Sequence, residues 1–318
     1  MENEGNLPSD LDVSLATDSR PEGKATKELE KRLSRYSKAK SNSKVMADYI
    51  RENHPDQKRL IDNMDNCGTW LMFREYFTIN ETRLSGACTC KKHLLCQLCA
   101  ILRGARSVQN ALPIVDQVLT QNPNLKPYFL TLTLKNGEDL LQMYKHLRKS
   151  LTTLRDRRNR QRGVSVFEFI DGAFWSIEVK RGSGSDLWHP HVHMVILADS
   201  ARVPSRHAIS QEWQDITGDS FVIDLRPIDQ DDMASGFIEV FKYAVKFSEQ
   251  PPADTYHVYR TLSKKRLTGS FGSLYGVKLS EEVTDVLIDD LPYIERFYSY
   301  SSNSYRESSI GSHQNSAA

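Results

Sequence analysis

The feature that most constrains the fold of this chain is the order of its apolar segments between residues 126 and 250. Segments in which apolar and polar residues alternate predict half-buried strands, and apolar residues every three or four positions predict amphipathic helices. The predicted strands are Tyr128–Leu134, Ala173–Lys180, His191–Leu197 and Phe221–Leu225, and the predicted helices are Glu138–Arg158, Pro204–Thr217 and Met233–Phe247. The series therefore reads strand, helix, strand, strand, helix, strand, followed by one more helix.

This series predicts an α+β fold of the ferredoxin-like split βαβ type, in which an antiparallel sheet carries helices on one side. The turn residues Arg181–Ser185 favour an antiparallel hairpin between the second and third strands. We divide the chain into a tail (1–44), a cysteine-rich zinc-binding module (45–112), a sheet domain (113–280) and a C-terminal extension that ends in a second tail (281–318).

Both tails are expected to be disordered. Residues 1–44 are rich in charge and poor in large apolar side chains, so they bury too little to offset the entropy of ordering. The basic half of this tail, from Lys24 to Lys44, has the composition of a marginal helix and is either a solvated charge run or an arm that binds nucleic acid. Residues 301–318 are rich in Ser and Asn.

The composition argues against several classes of protein. No run of about 18 apolar residues exists, so no membrane span is expected. The acidic start Met1–Glu4 is not followed by an apolar stretch, which argues against a secretion signal. The balance of 42 Lys and Arg against 41 Asp and Glu argues against a polycation. We therefore expect a cytoplasmic protein whose five cysteines are reduced thiols or metal ligands.

The cysteines have the spacing of a structural zinc site, because a Cys-x2-Cys turn with further cysteines nearby lets thiolates converge on one ion. Six potential donors compete for four positions: Cys67, Cys88, Cys90, His93, Cys96 and Cys99. We favour the set Cys67, Cys90, Cys96 and Cys99. The alternative is a group of small buried thiols.

The segment His189-Pro-His-Val-His193 predicts a second metal site. On a strand, His191 and His193 point to the same face. Glu178 on the neighbouring predicted strand is the expected third ligand, with an exposed carboxylate as the alternative. Two imidazoles and a carboxylate would leave positions open on a divalent cation that polarises a phosphoryl oxygen.

The last predicted helix carries Glu239, Lys242, Tyr243 and Lys246 on one face, at steps of three or four residues. The Tyr243 hydroxyl becomes a usable nucleophile only next to a bound phosphate and cationic groups. A neighbouring carboxylate could accept a proton from water. The alternative is an ordinary surface face on which the tyrosine contributes packing.

Two basic segments are predicted to contact DNA phosphates, which supply affinity but not sequence information. Their members are Arg155, Arg157, Arg158 and Arg160 in the first segment, and Lys265 and Arg266 in the second. The alternative for the first segment is a solvated helix end. The nearby Tyr256, Tyr259, Phe271 and Tyr275 either stack on unpaired bases or belong to the core.

Taken together, the segments resemble the rolling-circle plasmid replication initiators of the HUH endonuclease superfamily, in the branch that uses one tyrosine and a glutamate. The motifs that carry the resemblance are Phe129–Thr133, Glu178 with His191-Val-His193, Glu239-x3-Tyr243-x2-Lys246, the upstream cysteines and Lys265-Arg266-Leu267. The resemblance covers roughly residues 60–280 and makes 113–280 an HUH endonuclease domain.

The resemblance implies a nick in single-stranded or hairpin DNA at a plasmid origin. Tyr243 would join the 5′ phosphate and free a 3′-hydroxyl primer, and Glu239 would activate water for the closing cleavage. Lys246 would stabilise the charge on the phosphate, while His191, His193 and Glu178 would hold Mg2+ or Mn2+. Host helicase and polymerase are the further partners that the resemblance implies.

Two alternatives stay open. An HUH transposase or relaxase would use related chemistry, although such transposases usually lack the cysteine module and relaxases usually place the tyrosine before the histidines. A non-catalytic, zinc-dependent DNA-binding regulator would use His191 and His193 only as structural residues.

Overall fold

The computed structural model describes residues 24–160, 165–182, 185–229, 233–241, 250–308 and 314–315. The helices are α1 (Lys24–Asn53), α2 (Lys58–Asn66), α3 (Gln97–Gln121), α4 (Leu140–Arg160), α5 (Arg206–Thr217), α6 (Met233–Phe241) and α7 (Pro252–Leu262). The strands are β1 (Trp70–Tyr76), β2 (Glu81–Ala87), β3 (Leu125–Thr133), β4 (Ile170–Arg181), β5 (Trp188–Asp199), β6 (Ile223–Pro227), β7 (Thr268–Gly272), β8 (Tyr293–Ser301), β9 (Ser304–Glu307) and β10 (Gln314–Asn315). Within these ranges, no helix combines the length and the apolar character needed to cross a membrane.

The strands form two antiparallel sheets. The first sheet has the order β10-β8-β1-β2, with β9 also paired to β8, and so joins the C-terminal strands to the two strands that follow α2. The second sheet has the order β6-β3-β5-β4-β7. Strand β5 therefore lies between β3 and β4, which are connected through helix α4.

The predicted mixed α+β fold with antiparallel strands is confirmed. Each of the four predicted strands lies within two or three residues of β3, β4, β5 or β6, and the predicted hairpin is the β4–β5 pair. The predicted helices correspond to α4, α5 and α6, the last of which is described as far as Phe241. Sequence periodicity located the helices because each buries one face, whereas β4 and β5 bury side chains on both faces.

Helices cover both faces of the second sheet, and the expectation of helices on one side is wrong. On one face, Leu151 of α4 and Trp213 of α5 pack with Trp175, Ile177 and other residues of the sheet. On the other face, Val115 of α3 and Phe237 of α6 pack with Phe129 and Phe174. The error arose because α3 belongs to the cysteine-rich segment and its second role could not be read from its own periodicity.

The predicted tail 1–44 is wrong for residues 24–44, which belong to the 30-residue helix α1. Tyr36 and Ile50 of this helix are fully buried, because other parts of the chain pack against a helix that has little apolar character of its own. The proposed boundaries after residues 44 and 112 fall inside α1 and α3. Residues 1–23 lie outside the described part of the chain.

The expected disorder from residue 301 onwards is also wrong for residues 301–307. Strand β9 pairs with β8, and the Tyr305 hydroxyl donates to the Gly68 carbonyl at 2.8 Å. Pairing partners that lie far away in sequence therefore order a stretch whose Ser- and Asn-rich composition suggested otherwise. The extension and the cysteine-rich module share one sheet.

Candidate metal centres and nucleic-acid interface

Four thiols converge between α1, α2 and the start of α3. The Sγ atom of Cys67 lies 3.5 Å from that of Cys96 and 3.4 Å from that of Cys99, and Cys90 Sγ lies 3.6 Å from Cys99 Sγ. A tetrahedral zinc ion with Zn–S bonds of about 2.3 Å requires sulfur separations of roughly 3.8 Å. The four thiols, which we call the cysteine cluster, are close enough to bind a metal such as zinc.

The surroundings favour thiolate at Cys96, whereas hydrogen bonds among the thiols and burial raise the pKa of Cys67, Cys90 and Cys99. Hydrogen bonds from Cys67, Cys90 and Cys99 lower the pKa of Cys96 well below its ordinary value. Ser43 Oγ of α1 lies 3.3 Å from Cys96 Sγ, and the Cys99 amide donates to the same sulfur at 3.5 Å. A group that prefers negative charge in a buried position is suited to a cation.

The structure also decides between the competing donors. His93 Nε2 lies 2.8 Å from Arg103 Nη1, so this ring is engaged outside the cluster. Burial, and next the nearby Arg103 charge, lower the pKa of His93 to about 4. Cys88 also stays outside the group of converging thiols.

The second candidate site lies on the face of the second sheet that carries Thr131, Thr133, Glu178, His191 and His193, which we call the histidine face. The register aligns Thr131 with His193 and Thr133 with His191 across β3 and β5, and Glu178 with His191 across β4 and β5. His193 Nε2 lies 3.0 Å from Glu178 Oε2, and the two imidazole centroids are 6.0 Å apart. The structure thus puts the three predicted ligands on one face of the sheet, with Glu178 in contact with His193, but their ligand atoms do not all lie within 4.8 Å of one another.

Two hydroxyls that sequence reasoning did not single out as functional hold the imidazoles. Thr131 Oγ1 lies 3.1 Å from Nδ1 of His193, and Thr133 Oγ1 lies 3.2 Å from Nδ1 of His191. Nδ1 of each ring is therefore engaged by a hydroxyl, and Nε2 of His193 is engaged by Glu178 Oε2. The alternation of Thr131 and Thr133 along β3 was the available signal, since the two residues share a face.

The donor set on the histidine face fits a hard divalent cation. Burial lowers the pKa of His191 to about 4, so its imidazole is neutral at neutral pH and has a lone pair. Glu178 is 2% exposed and supplies a carboxylate. Among the described residues, only the cysteine cluster has three or more candidate ligand atoms within 4.8 Å of one another. The histidine face therefore has suitable donors, with Glu178 in direct contact with His193.

Helix α6 packs on the histidine face. Ser176, the cross-strand partner of His193, donates through Oγ to the Val240 carbonyl at 2.8 Å. Val240 and Phe237 are buried against the apolar end of this face. Tyr243 and Lys246 lie outside the described residues, as does the side chain of Glu239.

The predicted DNA-binding arginines of α4 fall into two groups. Arg158 donates to the carbonyls of Ile170 and Asp171, at 3.0 and 2.6 Å, and Arg157 lies 3.7 Å from Glu212. These contacts hold α4 against its neighbours. Arg155 and Arg160 are exposed near the end of the helix and remain accessible to a polyanion.

The second predicted basic segment is also accessible. Lys265 and Arg266 are exposed in the loop between α7 and β7. Of the four candidate base-stacking aromatics, Tyr256 and Phe271 are buried, Tyr259 is packed against the core, and Tyr275 is 83% exposed. Core packing therefore accounts for three of the four rings.

Comparison with known proteins places these features in a family. The model of the replication protein family Rep_1 matches residues 81–308, a range that contains the whole second sheet and three members of the cysteine cluster, with Cys67 before it. The protein named "Protein rep" from Streptococcus pneumoniae serotype 2 (strain D39 / NCTC 7466) is 26% identical over 258 residues, which covers 74% of this chain and 77% of the relative.

A second relative, "Protein rep" from Lactiplantibacillus plantarum, is 24% identical over 245 residues, covering 71% of this chain and 74% of the relative. No solved structure matches the chain at a significant level. The matches confirm the resemblance to plasmid replication initiators that the motifs indicated. Because the family model spans well over half of the sequence, the chain belongs to the replication protein family.

Proposed function

We propose that this protein initiates plasmid rolling-circle replication by a metal-dependent, strand-specific nick in origin DNA, made by an HUH endonuclease site on the histidine face. One observation carries the proposal. The contact between Ser176 and Val240 brings the helix that leads to Tyr243 onto the face that holds His193 and Glu178.

The topology supports the finer fold assignment. With β5 between β3 and β4, and β6 on the outer side of β3, the four central strands have the order of a ferredoxin-like split βαβ unit. This arrangement puts the His-x-His strand in the middle of the sheet, where both neighbours can support its side chains. Glu178 and the two threonines supply that support.

His191, His193 and Glu178 would hold Mg2+ or Mn2+. When bound, the cation would polarise a non-bridging phosphoryl oxygen and stabilise the charge that develops there. Thr131 and Thr133 would fix the imidazoles through Nδ1 and so direct Nε2 towards the cation. Their hydroxyls can donate or accept, so they suit either tautomer.

Tyr243 would attack the scissile phosphorus with its phenolic oxygen. The new bond joins the tyrosine to the 5′ phosphate, the bond to the 3′ oxygen breaks, and that oxygen takes a proton and becomes the primer. Lys246 would stabilise the charged phosphate during the step. Glu239 would accept a proton from water in the closing cleavage, so that a second tyrosine is not required.

The remaining assignments complete the proposal. The cysteine cluster would bind a structural Zn2+, because four thiolates leave no position for substrate. The substrate would be cytoplasmic plasmid origin DNA, single-stranded or in a hairpin at the nick site. Host helicase and polymerase would act on the freed 3′ end.

The test is nicking of supercoiled origin plasmid with Mn2+ by the wild-type protein and by Tyr243→Phe. The wild type should convert supercoiled DNA into nicked circles and form a covalent adduct, and Tyr243→Phe should lower both by at least about a thousandfold. Mass spectrometry of the trapped adduct names the attacking residue. Tyr293→Phe, at a half-buried ring on β8 of the first sheet, is the matched control and should nick normally.

Two results would contradict the proposal. If the wild type shifts origin DNA but leaves it covalently intact, the protein is a non-catalytic regulator. If the adduct forms on a residue other than Tyr243, the assigned nucleophile is wrong. A protein that joins foreign ends instead of re-forming the origin would favour the transposase or relaxase alternative.

A further inference from the structure

A basic groove runs between the cysteine-rich module and the loop that follows α7. It encloses about 310 Å³ and is lined on one side by Lys91, Lys92 and Arg103 and on the other by Lys264, Lys265 and Arg266. No carboxylate lines it within the described part of the chain. In a protein with a net charge of only +1, six cations around one cavity are a local concentration of charge.

Five of these six cations are available to a ligand, and one of the five, Arg266, also donates through Nε to the Thr268 carbonyl at 3.0 Å. Arg103 contacts His93 Nε2 at 2.8 Å and the Ser280 carbonyl at 2.7 Å, so its guanidinium is engaged in hydrogen bonds within the protein. Among the described residues, no carboxylate lies within 4.0 Å of the other five cations. These five are Lys91, Lys92, Lys264, Lys265 and Arg266, and we call the cavity that they line the basic groove. Uncompensated cations that face each other repel, and an anion removes this cost.

The backbone gives a second, independent observation. Lys91 and Lys264 adopt left-handed φ values of 55° and 63°, on opposite sides of the groove. A side chain with a Cβ atom is disfavoured there, and glycine would adopt the same backbone without strain. Lysine at both positions indicates that the side chain contributes something that outweighs its conformational cost.

Both sides of the groove are held in place. The loop that carries Lys91 and Lys92 begins after Cys90 and ends at Cys96, two members of the cysteine cluster. Across the groove, the Tyr144 hydroxyl donates to the Arg266 carbonyl at 3.1 Å. The cationic surface continues onto α4, because Arg148 of α4 and Arg266 of the loop lie 5.0 and 5.9 Å from the same Trp175 ring.

The groove is on the other side of the second sheet from the histidine face. Trp175 and Ile177 point towards α4 and α7, whereas Ser176 and Glu178 alternate with them and point to the histidines. A phosphate in the groove is therefore not the phosphate that the histidine site would cleave.

We infer that the basic groove binds the phosphate backbone of double-stranded DNA that flanks the nick site. Single-strand binding sites combine cations with exposed aromatic platforms, but the aromatic residue that lines this groove, Tyr259, is packed against the core. Lysine and arginine alone suffice to bind a duplex backbone. The inference rests on the proposed function, since that function supplies DNA as the substrate.

The test compares the double variant Lys91→Gly with Lys264→Gly against the wild type in binding to an origin duplex, by fluorescence anisotropy at several salt concentrations. Loss of two phosphate contacts should lower the slope of log affinity against log salt by about 2. The affinity near 0.1 M salt should fall on the order of tenfold. Because glycine relieves strain at both positions, the midpoint of thermal unfolding should stay unchanged or rise.

Two matched controls separate charge from backbone. Asn80→Gly, also at a left-handed φ of 55°, changes the backbone without removing a cation, and Lys58→Ala removes an exposed cation at the start of α2. Both should bind the duplex as the wild type does. The inference is overturned if the double variant binds with unchanged affinity and salt slope, or if it loses single-strand binding while duplex binding is kept.

Failure of this inference is distinguishable from failure of the proposed function. Duplex binding is measured without added Mg2+ or Mn2+ and does not require cleavage. A wild-type protein that does not nick can therefore still bind the duplex more tightly than the double lysine variant. If the protein nicks through Tyr243 but its groove variants bind the duplex normally, the inference about the groove is refuted and the proposed function is not.

Discussion

At the scale of single residues, His93 shows how a buried polar contact fixes a protonation state. Its Nε2 atom lies 2.8 Å from the Arg103 guanidinium, which can only donate, so the ring must accept and stay neutral. Burial, followed by the nearby Arg103 charge, lowers the pKa of His93 to about 4. The unfolded chain, with a pKa near 6.5, takes up this proton first.

We predict that His93 contributes to acid destabilisation. Above pH 6.5 His93 is neutral in the folded and in the unfolded state, so it does not change the free energy of unfolding. As the pH falls from 6.5 towards 4, the unfolded state binds a proton at this residue and the free energy of unfolding decreases. His93→Gln keeps an acceptor but does not titrate, so its loss of stability between pH 6.5 and 4.5 should be smaller by about 2 kcal/mol. Urea unfolding at several pH values measures this difference.

The exposed His207 on α5 provides the control for this experiment. His207→Gln should follow the wild-type pH profile. Parallel profiles for His93→Gln and the wild type would show that His93 does not carry the acid sensitivity.

At the scale of elements, α1 serves the cysteine cluster. Lys40 is 2% exposed, and its Nζ atom donates to the carbonyls of Met64 and Asp65 at 3.3 and 2.8 Å, at the end of α2. These carbonyls directly precede Cys67, and a cation at a helix C-terminus is favoured by the helix dipole. Burial lowers the pKa of Lys40, whereas negative charge on Cys67 and Cys96 raises it. The helix thus brings a positive charge to the thiols.

We predict that Lys40→Met lowers the free energy of unfolding by about 2 kcal/mol, because two carbonyls lose their donor in a buried position. It should also speed metal release from the cysteine cluster to a chromogenic chelator. Lys38→Met, at an exposed position two residues earlier, is the matched control and should change neither quantity. If the two variants have the same free energy of unfolding and the same rate of metal release, Lys40 does not stabilise the cysteine cluster.

At the scale of the whole molecule, Asp285 joins parts of the chain that are far apart in sequence. Its Oδ2 atom accepts from Arg32 of α1 and from the Leu84 amide of β2, each at 2.7 Å, and its Oδ1 atom accepts from Gln109 of α3 at 3.2 Å. Asp285 is 5% exposed. The C-terminal extension is therefore part of the cysteine-rich half of the molecule.

We predict that Asp285→Ala lowers the free energy of unfolding by about 3 kcal/mol, because it leaves the Arg32 guanidinium largely buried without a counter-charge. Denaturant unfolding measures the loss, and Asp290→Ala, at an exposed aspartate, should cost little. The double variant Arg32→Met with Asp285→Ala should lose less than the sum of the single variants. Additive losses would contradict a direct pairing between the two residues.

Local patterns in the sequence were sufficient for β3, β4, β5 and β6 of the second sheet, whereas β7 was not predicted, and they indicated the residues of the candidate sites. The alternation in β3, β4 and β5 separates the two faces of the sheet, both of which are buried along most of β4 and β5, and that information is carried by the residues themselves. The same alternation put His191, His193 and Glu178 on one face. Cysteine spacing narrowed the thiol ligands to a small set for the same local reason.

Contacts between distant segments decided the rest. Composition cannot show that α1 is buried or that β8 and β9 complete a sheet with β1. It also cannot show that α3 covers the second face of the other sheet. These elements are stabilised mainly by contacts with surfaces elsewhere in the chain. The path of the backbone in space brings Cys67, and not Cys88, into the cysteine cluster. It also brings Lys91 and Lys264 to opposite sides of one groove. The residues by themselves determine which groups can take part in the chemistry, and tertiary packing determines which of them meet.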